Sequence, residues 1–360
     1  MPKARCFSYT LNFTFRAGTS RGVMTARDTH FIVLEHEGQI GVGECAPLPG
    51  LSTDNQDDFV PQLQALTKTL AEHPIPSHRN DVRQAAEELV PRDYPALRFG
   101  TEMAWLDVIQ GGKRHLIPSV MQPTFTPLPI NGLIWMGEPD VMLQQIDEKI
   151  AAGFRCIKMK IGAIDFDQEL RLLAHVRRHY PHDVITLRVD ANGAFTPKDA
   201  LAKLNQLARY DIHSIEQPVR QGQPALMASL CQQSPIPIAL DEELIRVVNT
   251  TEKEELLDTI GPQYIILKPS LLGGMAASDE WIALAEARGI GWWATSALES
   301  NIGLNAIAQW VAQYAPTMPQ GLGTGQLYHN NIESPVVINQ GYLTYDQATD
   351  WDMTLFRSDR

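Results

Sequence analysis

No stretch of this chain approaches the roughly 20 consecutive apolar residues that a membrane-spanning helix needs. Its opening, Met-Pro-Lys-Ala-Arg-Cys-Phe-Ser-Tyr, has no apolar core of signal-peptide length. A cytoplasmic protein that binds no membrane is therefore expected. Cysteine is sparse: Cys6, Cys45, Cys156 and Cys231 lie far apart without paired spacing, which argues against a zinc site or a disulfide framework and for reduced, packed thiols. Positive charge is in deficit, with 30 Lys and Arg against 42 Asp and Glu and a formal net charge of −12. That balance excludes nucleic acid and anionic membrane surfaces as partners. Low-complexity segments are also missing.

What is present is an ordinary globular composition, 44% apolar and 20% charged over 360 residues. A barrel takes about 250 residues, which leaves room for one smaller domain. From Phe7 to Leu48 the pattern alternates, with Tyr9, Leu11, Phe13 and Phe15 at period two and then Phe31-Ile32-Val33-Leu34, as in an antiparallel sheet. Two glycine-rich interruptions, residues 18–22 and 41–50, read as hairpin turns or as mobile loops that close over a neighbouring site. Apolar residues at three- and four-residue spacing predict helices over 57–71, 81–90 and 94–111, and a proline-rich join follows from Ile117-Pro118 to Pro129.

From Ile130 short apolar runs alternate with longer helical patterns, such as 139–152 and 197–210. Strands are expected near 130–135, 155–160, 184–190, 212–216, 236–241, 264–268, 290–295 and 319–323. The fold class that follows is α/β: a modified (β/α)8 barrel of the TIM type, (β/α)7β because the last helix is vestigial, with an N-terminal α+β capping domain. The expected boundaries are 1–125 for the cap, 126–328 for the barrel and 329–360 for a C-terminal segment whose hairpin packs back on the cap.

Charged residues sit where such a barrel does its chemistry. Asp190, Glu216, Asp241 and Lys268 end successive strands at intervals of roughly 26 residues, about one strand and one helix. In Ile157-Lys158-Met159-Lys160-Ile161 alternation turns both lysines into the barrel. Three carboxylates without histidine or cysteine suit a hard divalent cation, most naturally Mg²⁺. With the ion they sum to −1, and Lys158, Lys160 and Lys268 bring the site to +2, so it wants a dianion. A neutral lysine beside such a metal is the arrangement for removing a proton next to a carboxylate. Two rival readings stay open: a phosphate-binding barrel using the glycines at 273–274 and 321–325, which three acids would oppose, and an anion-binding barrel without catalysis.

The joint pattern resembles the enolase superfamily, and within it the o-succinylbenzoate synthase family of menaquinone synthesis. The resemblance runs through Gly18-Thr-Ser-Arg-Gly22, the segment Gly43 to Ser52, Lys158-Met-Lys160, Arg188-Val-Asp-Ala-Asn192, Glu216-Gln-Pro, Asp241-Glu242, Lys268-Pro and Ser296 to Gly303. It implies that Asp190, Glu216 and Asp241 hold Mg²⁺, for which Mn²⁺ can substitute. It also implies that Lys160 is the general base, returning its proton to the leaving hydroxyl, and that Lys268 stabilises an enediolate from the opposite face. Lys158, Asn192, Ser20, Arg21, Ser296 and Gly323 are the implied substrate contacts. Racemases of the superfamily that use a histidine base carry it on the seventh strand, which here ends Trp293-Ala294-Thr295-Ser296. Dipeptide epimerases use an acid pair on strand eight, where this chain has Gly-Leu-Gly-Thr-Gly at 321–325. The implied partner is thus a small-molecule dicarboxylate, dehydrated to o-succinylbenzoate; N-acylamino acid racemase and dipeptide epimerase are the alternatives.

Overall fold

A computed structural model describes residues 1–19, 22–121 and 124–357. The alternating N-terminal segment forms β1 (Lys3–Thr19) and β2 (Gly22–His36), a long antiparallel hairpin joined on its β2 side by β3 (Gln39–Cys45). Period two places Phe31 and Val33 on one face, against Ile302 and Phe356, and Ile32 and Leu34 on the other, against the helices. Both faces are thereby buried.

The glycine-rich stretch beginning at Gly41 differs from expectation. Gly41 and Gly43 lie inside β3, neither in a turn nor in a mobile loop, because a following helix lies directly on this strand. A Cβ on Gly41 would meet the Ala104 carbonyl at 2.3 Å, and one on Gly43 would meet the Gly100 carbonyl at 1.8 Å. The absence of side chains serves helix–sheet contact. Only the part beyond Cys45 is a loop.

Three helices cover this sheet: α1 (Phe59–Glu72), α2 (Arg79–Leu89) and α3 (Pro95–Ile109). Proline opens α3, where its missing N–H costs nothing, and Asp54 Oδ2 accepts from Ala96 N at 2.7 Å. Trp105, Phe99 and Met103 on this helix are fully buried, each burial stabilising by about 1.5–3 kcal/mol or more.

The chain then alternates β4 (Leu128–Pro129), β5 (Gly132–Ile134), α4 (Pro139–Ala151), β6 (Cys156–Lys160), α5 (Phe166–His179), β7 (Thr186–Asp190), α6 (Ala200–Leu207) and β8 (Ile212–Glu216). It continues through α7 (Pro224–Gln233), β9 (Ile238–Leu240), α8 (Thr250–Ile260), β10 (Tyr264–Leu267), α9 (Pro269–Leu272), α10 (Gly274–Glu286), β11 (Gly291–Ala294) and α11 (Asn301–Ala312). Among the described residues β5 to β11 form one parallel sheet in sequence order. The eighth strand expected at 319–323 is reduced to two bridges, Gln320 to Ile130 and Gly321 to Thr295. They still join the first and seventh strands; Pro319 offers no N–H with which to extend the ladder.

Register in this sheet carries one irregularity. Leu187 faces Ile212, but Arg188 faces Ser214, so His213 is an extra residue in β8. A one-residue slip exchanges the two faces of a strand. This bulge therefore turns Glu216 to the same side as Asp190, its register partner.

The C-terminal hairpin, β12 (Val336–Asn339) and β13 (Tyr342–Tyr345), pairs through β13 with β4 rather than with the N-terminal sheet. Residues beyond it reach that sheet: Phe356 packs on Phe7 and Phe31.

Candidate active site

A cavity of about 1100 Å³ opens at the C-terminal ends of the strands, walled on the far side by the β1–β2 hairpin and by Leu48 and Leu51 of the loop after β3. Inward side chains in two rows lie at its base, and Lys158, Lys160, Asp190 and Glu216 line it. Lys160, Asp190 and Glu216 are neighbours in the upper row; Lys158, Arg188 and Ser214 lie one row below. Asp241 follows the short β9 and is fixed by Gln217, whose Oε1 accepts from Asp241 N at 3.2 Å and from Glu243 N at 3.3 Å. Gln217 itself holds a left-handed φ of 40°, a strain the surrounding hydrogen bonds sustain.

The lysines meet the acids. Lys160 Nζ donates to Asp190 Oδ2 at 3.0 Å and to Asn192 Oδ1 at 2.7 Å. Lys158 Nζ lies 3.0 Å from Asp190 Oδ2 and donates to Glu216 Oε2. Lys268 Nζ is 2.5 Å from Asp241 Oδ2. Burial opposes charge on Lys158 and Lys268, yet Asp190 and Glu216 beside the first, and Asp241 beside the second, outweigh it and hold both ammoniums above the usual range. Asp190 is likewise buried, and Lys158 and Lys160 keep it ionised far below the ordinary carboxylate range. Glu216 goes the other way: burial, and then repulsion from Asp190, push its carboxyl up despite Lys158.

Whether this set fits a divalent cation is testable on its own atoms. Among the described residues no three carboxylate, imidazole or thiol groups stand close enough to grip an ion as they are. The reason is visible: ammonium groups bridge the carboxylates, Lys158 between Asp190 and Glu216 and Lys268 on Asp241. The donors nonetheless fit. All three are hard oxygens on adjacent strand ends, they repel one another, and Glu216 Oε1 is buried with no hydrogen-bond partner among the described residues.

The remaining expected residues are distributed unevenly. Asn192 lines the cavity at a left-handed φ of 43° and is locked by donating from Nδ2 to Glu242 Oε1 at 3.0 Å. Ser296 and Gly323 also line it, but the Ser296 hydroxyl donates to Glu299 Oε2 at 2.5 Å and accepts from Leu298 N at 3.1 Å. Ser20 and Arg21 lie outside the described residues. Asn131 Oδ1, Thr295 Oγ1 and Thr324 Oγ1 escaped the sequence reading. They are buried without partners among the described residues, and all three side chains are on the cavity wall. Unsatisfied polar atoms around an apolar rim of Trp135, Met24 and Leu298 are what a polar ligand would satisfy.

Two anchors that tie the cap to the strand ends also went unread. Arg27 Nη1 donates to the carbonyls of Ala297 and Leu298, at 2.6 and 2.9 Å, while Nη2 donates to those of Ala46 and Pro47, at 3.0 and 3.3 Å. One guanidinium thus clamps the loop after β3 to the loop after β11. It also helps to hold Leu298 at a left-handed φ of 67°, with Tyr328 Oη donating to the same carbonyl at 2.7 Å. Glu44 supplies the second anchor. It accepts from Ser300 N at 2.8 Å, Ser300 Oγ at 2.6 Å and Gly303 N at 2.8 Å, placing a carboxylate at the positive end of α11. Glu44 lies in the Gly43–Ser52 motif and Ser300 and Gly303 in the Ser296–Gly303 motif, so both halves were visible in the sequence; their pairing was not.

Comparison with known proteins agrees with this architecture. Residues 141–349 match the family model described as enolase C-terminal domain-like, and residues 1–108 match that of the MenC N-terminal domain. The o-succinylbenzoate synthase of Desulfotalea psychrophila is 48% identical over 354 residues, 92% of this chain and 96% of that protein. The crystal structure of MenC from the same organism superposes with a TM-score of 0.86 at 44% identity, over 95% of this chain and 99% of that one. A muconate lactonizing enzyme from Pseudomonas fluorescens shares the fold, with a TM-score of 0.84 at 22% identity over 98% of each chain.

Proposed function

Since the chain belongs to the enolase superfamily, we propose that it is an o-succinylbenzoate synthase: a Mg²⁺-dependent dehydratase that converts 2-succinyl-6-hydroxy-2,4-cyclohexadiene-1-carboxylate to o-succinylbenzoate. The observation that carries the reading is that Lys160 and Lys268, which line one cavity, each pair with a strand-end carboxylate, in a chain 48% identical to a synthase. Asp190, Glu216 and Asp241 would hold the ion. When bound, Mg²⁺, or Mn²⁺ in its place, supplies Lewis-acid stabilisation to carboxylate oxygens as they gain charge.

The chain's own groups supply the rest. Lys160 takes the proton α to the substrate carboxylate, steadied by Asn192, and returns it to the departing hydroxyl, so that water leaves from the face that lost the proton. Lys268 offers its ammonium to the growing enediolate charge. Lys158 adds positive charge beside Lys160 and receives the carboxylate. Asn131, Thr295 and Thr324 give the remaining polar contacts, and the apolar rim excludes water from the ring. In this reading residues 1–125 cap the site, 126–328 carry the chemistry and 329–360 brace the two.

The test is a spectrophotometric assay of the dehydration with and without chelator. Product formation abolished by chelator and restored by Mg²⁺ is expected; turnover indifferent to chelator would sink the proposal.

A further inference from the structure

A second cavity, of about 500 Å³ and sharing no lining residue with the catalytic one, lies in the seam between the cap and the segments that follow β9 and β10. Its walls carry Arg83, Arg92, Arg98, Arg246 and Lys253 against Glu87, Asp93 and Glu280. Five cations and three anions form a net positive pocket on a chain whose formal charge is −12. Part of this charge is spoken for: Arg83 pairs with Glu87 at 3.2 Å and Lys253 with Glu280 at 2.5 Å. Arg92, Arg98 and Arg246 have no ion pair among the described residues.

Arg98 is the telling member. It is only 8% exposed, and its Nη2 donates to the Val90 carbonyl at 2.8 Å, but its Nε is buried without a partner among the described residues. Glu102, one turn along α3, does not reach it as an ion pair, because its Oε2 accepts from Met275 N at 2.6 Å. A guanidinium on a cavity wall without a carboxylate partner is costly, and an anion entering the cavity would supply one. Arg246, on the facing wall, sits at a left-handed φ of 84° that an arginine rarely adopts.

We propose that this cleft is a second anion site, distinct from the catalytic cavity, that takes a small phosphorylated metabolite. Planar guanidinium groups on both walls, Arg92 and Arg98 on the cap and Arg246 on the barrel, suit the oxygens of a phosphate. Thr53, Gln56 and Asn249 line the pocket as further hydrogen-bonding groups, and Leu244, Val247 and Leu271 offer apolar wall for a short carbon skeleton. Because Thr53, Gln56 and Arg98 belong to the cap while Arg246 and Leu271 belong to the barrel, an occupant bridges the two.

The experiment titrates the Mg²⁺-loaded full chain with inorganic phosphate and with glycerol 3-phosphate, following thermal unfolding and calorimetry, with chloride at matched ionic strength as control. Saturable binding with a raised melting temperature is expected. In Arg92→Gln/Arg246→Gln the dissociation constant should rise about tenfold or more, with phosphate-free turnover unchanged. Arg98→Gln, checked for folding by circular dichroism, should weaken binding further. Binding must survive in Lys268→Ala. A response no larger than that of chloride, wild-type binding in the double variant, or binding lost in Lys268→Ala but kept in the double variant would each overturn the proposal.

Discussion

Lys160 and Asp190 are register partners on adjacent parallel strands, and the ammonium of one meets the carboxylate of the other at 3.0 Å. The same carboxylate oxygen receives Lys158 at 3.0 Å, so one acid orients two lysines. A base aimed by the strand ladder itself needs no loop closure to find its direction.

Replacing Lys160 by alanine should lower turnover by at least about 10²–10⁴-fold, the usual contribution of a positioned general base. The cavity would persist, so product affinity should change far less. Steady-state kinetics with calorimetric product binding checks both; a variant within threefold of wild type would remove Lys160 from the chemistry.

Mg²⁺ should stabilise the folded chain as well as activate it. At 100 times the dissociation constant a ligand of the native state adds about 2.7 kcal/mol. Melting curves with Mg²⁺ or with chelator should separate accordingly, and Glu216→Gln, which removes one proposed ligand, should shrink the separation. Equal melting temperatures in wild type would speak against an ion at these carboxylates.

Arg27→Gln should weaken the closed site without touching the reacting atoms. The substitution takes away charged donors from four carbonyls, each such bond being worth about 1.5–3 kcal/mol. KM is expected to rise more than about tenfold while kcat falls less, together with a lowered melting temperature. A KM equal to wild type would show that the clamp does not shape the substrate cavity.

Asp54 gives a pH signature remote from the metal ligands. Burial pushes its carboxyl up to about 7, with backbone donors at Ala96 only partly offsetting the effect. An unfolded aspartate titrates near 3.9, so between those values the native state holds a proton that the unfolded chain has released. Stability from this group is complete below about pH 4, declines as pH rises towards 7 and is flat above; the total is about 4 kcal/mol as an upper figure. Denaturant unfolding of Asp54→Asn should show a shallower slope over that window. Parallel slopes in the two proteins would assign the titration elsewhere.

Much of this was legible because strand tips announce themselves: a β-rich run ending in Asp190, Glu216, Asp241 or Lys268 is visible without a fold. Alternation in β6 also carried the direction of Lys158 and Lys160. Other features depend on partners distant in sequence. Gly41 and Gly43 looked like loop residues because Gly100 and Ala104, which press on them, are some sixty positions away. Arg27 gave no local sign of its carbonyl partners at 297 and 298, and Glu44, though it sits in a visible motif, gave none of its pairing with Ser300. The eighth strand was overestimated because pairing, not composition, limits it to two bridges.

His213 illustrates how much can hang on counting. Were that position paired with Arg188 in an unbroken ladder, the carboxylate at 216 would point at the helices, leaving the barrel mouth one acid short. Anyone transplanting this constellation into another scaffold must therefore copy a misalignment along with the side chains, since a perfectly regular ladder would deliver the right residues to the wrong side.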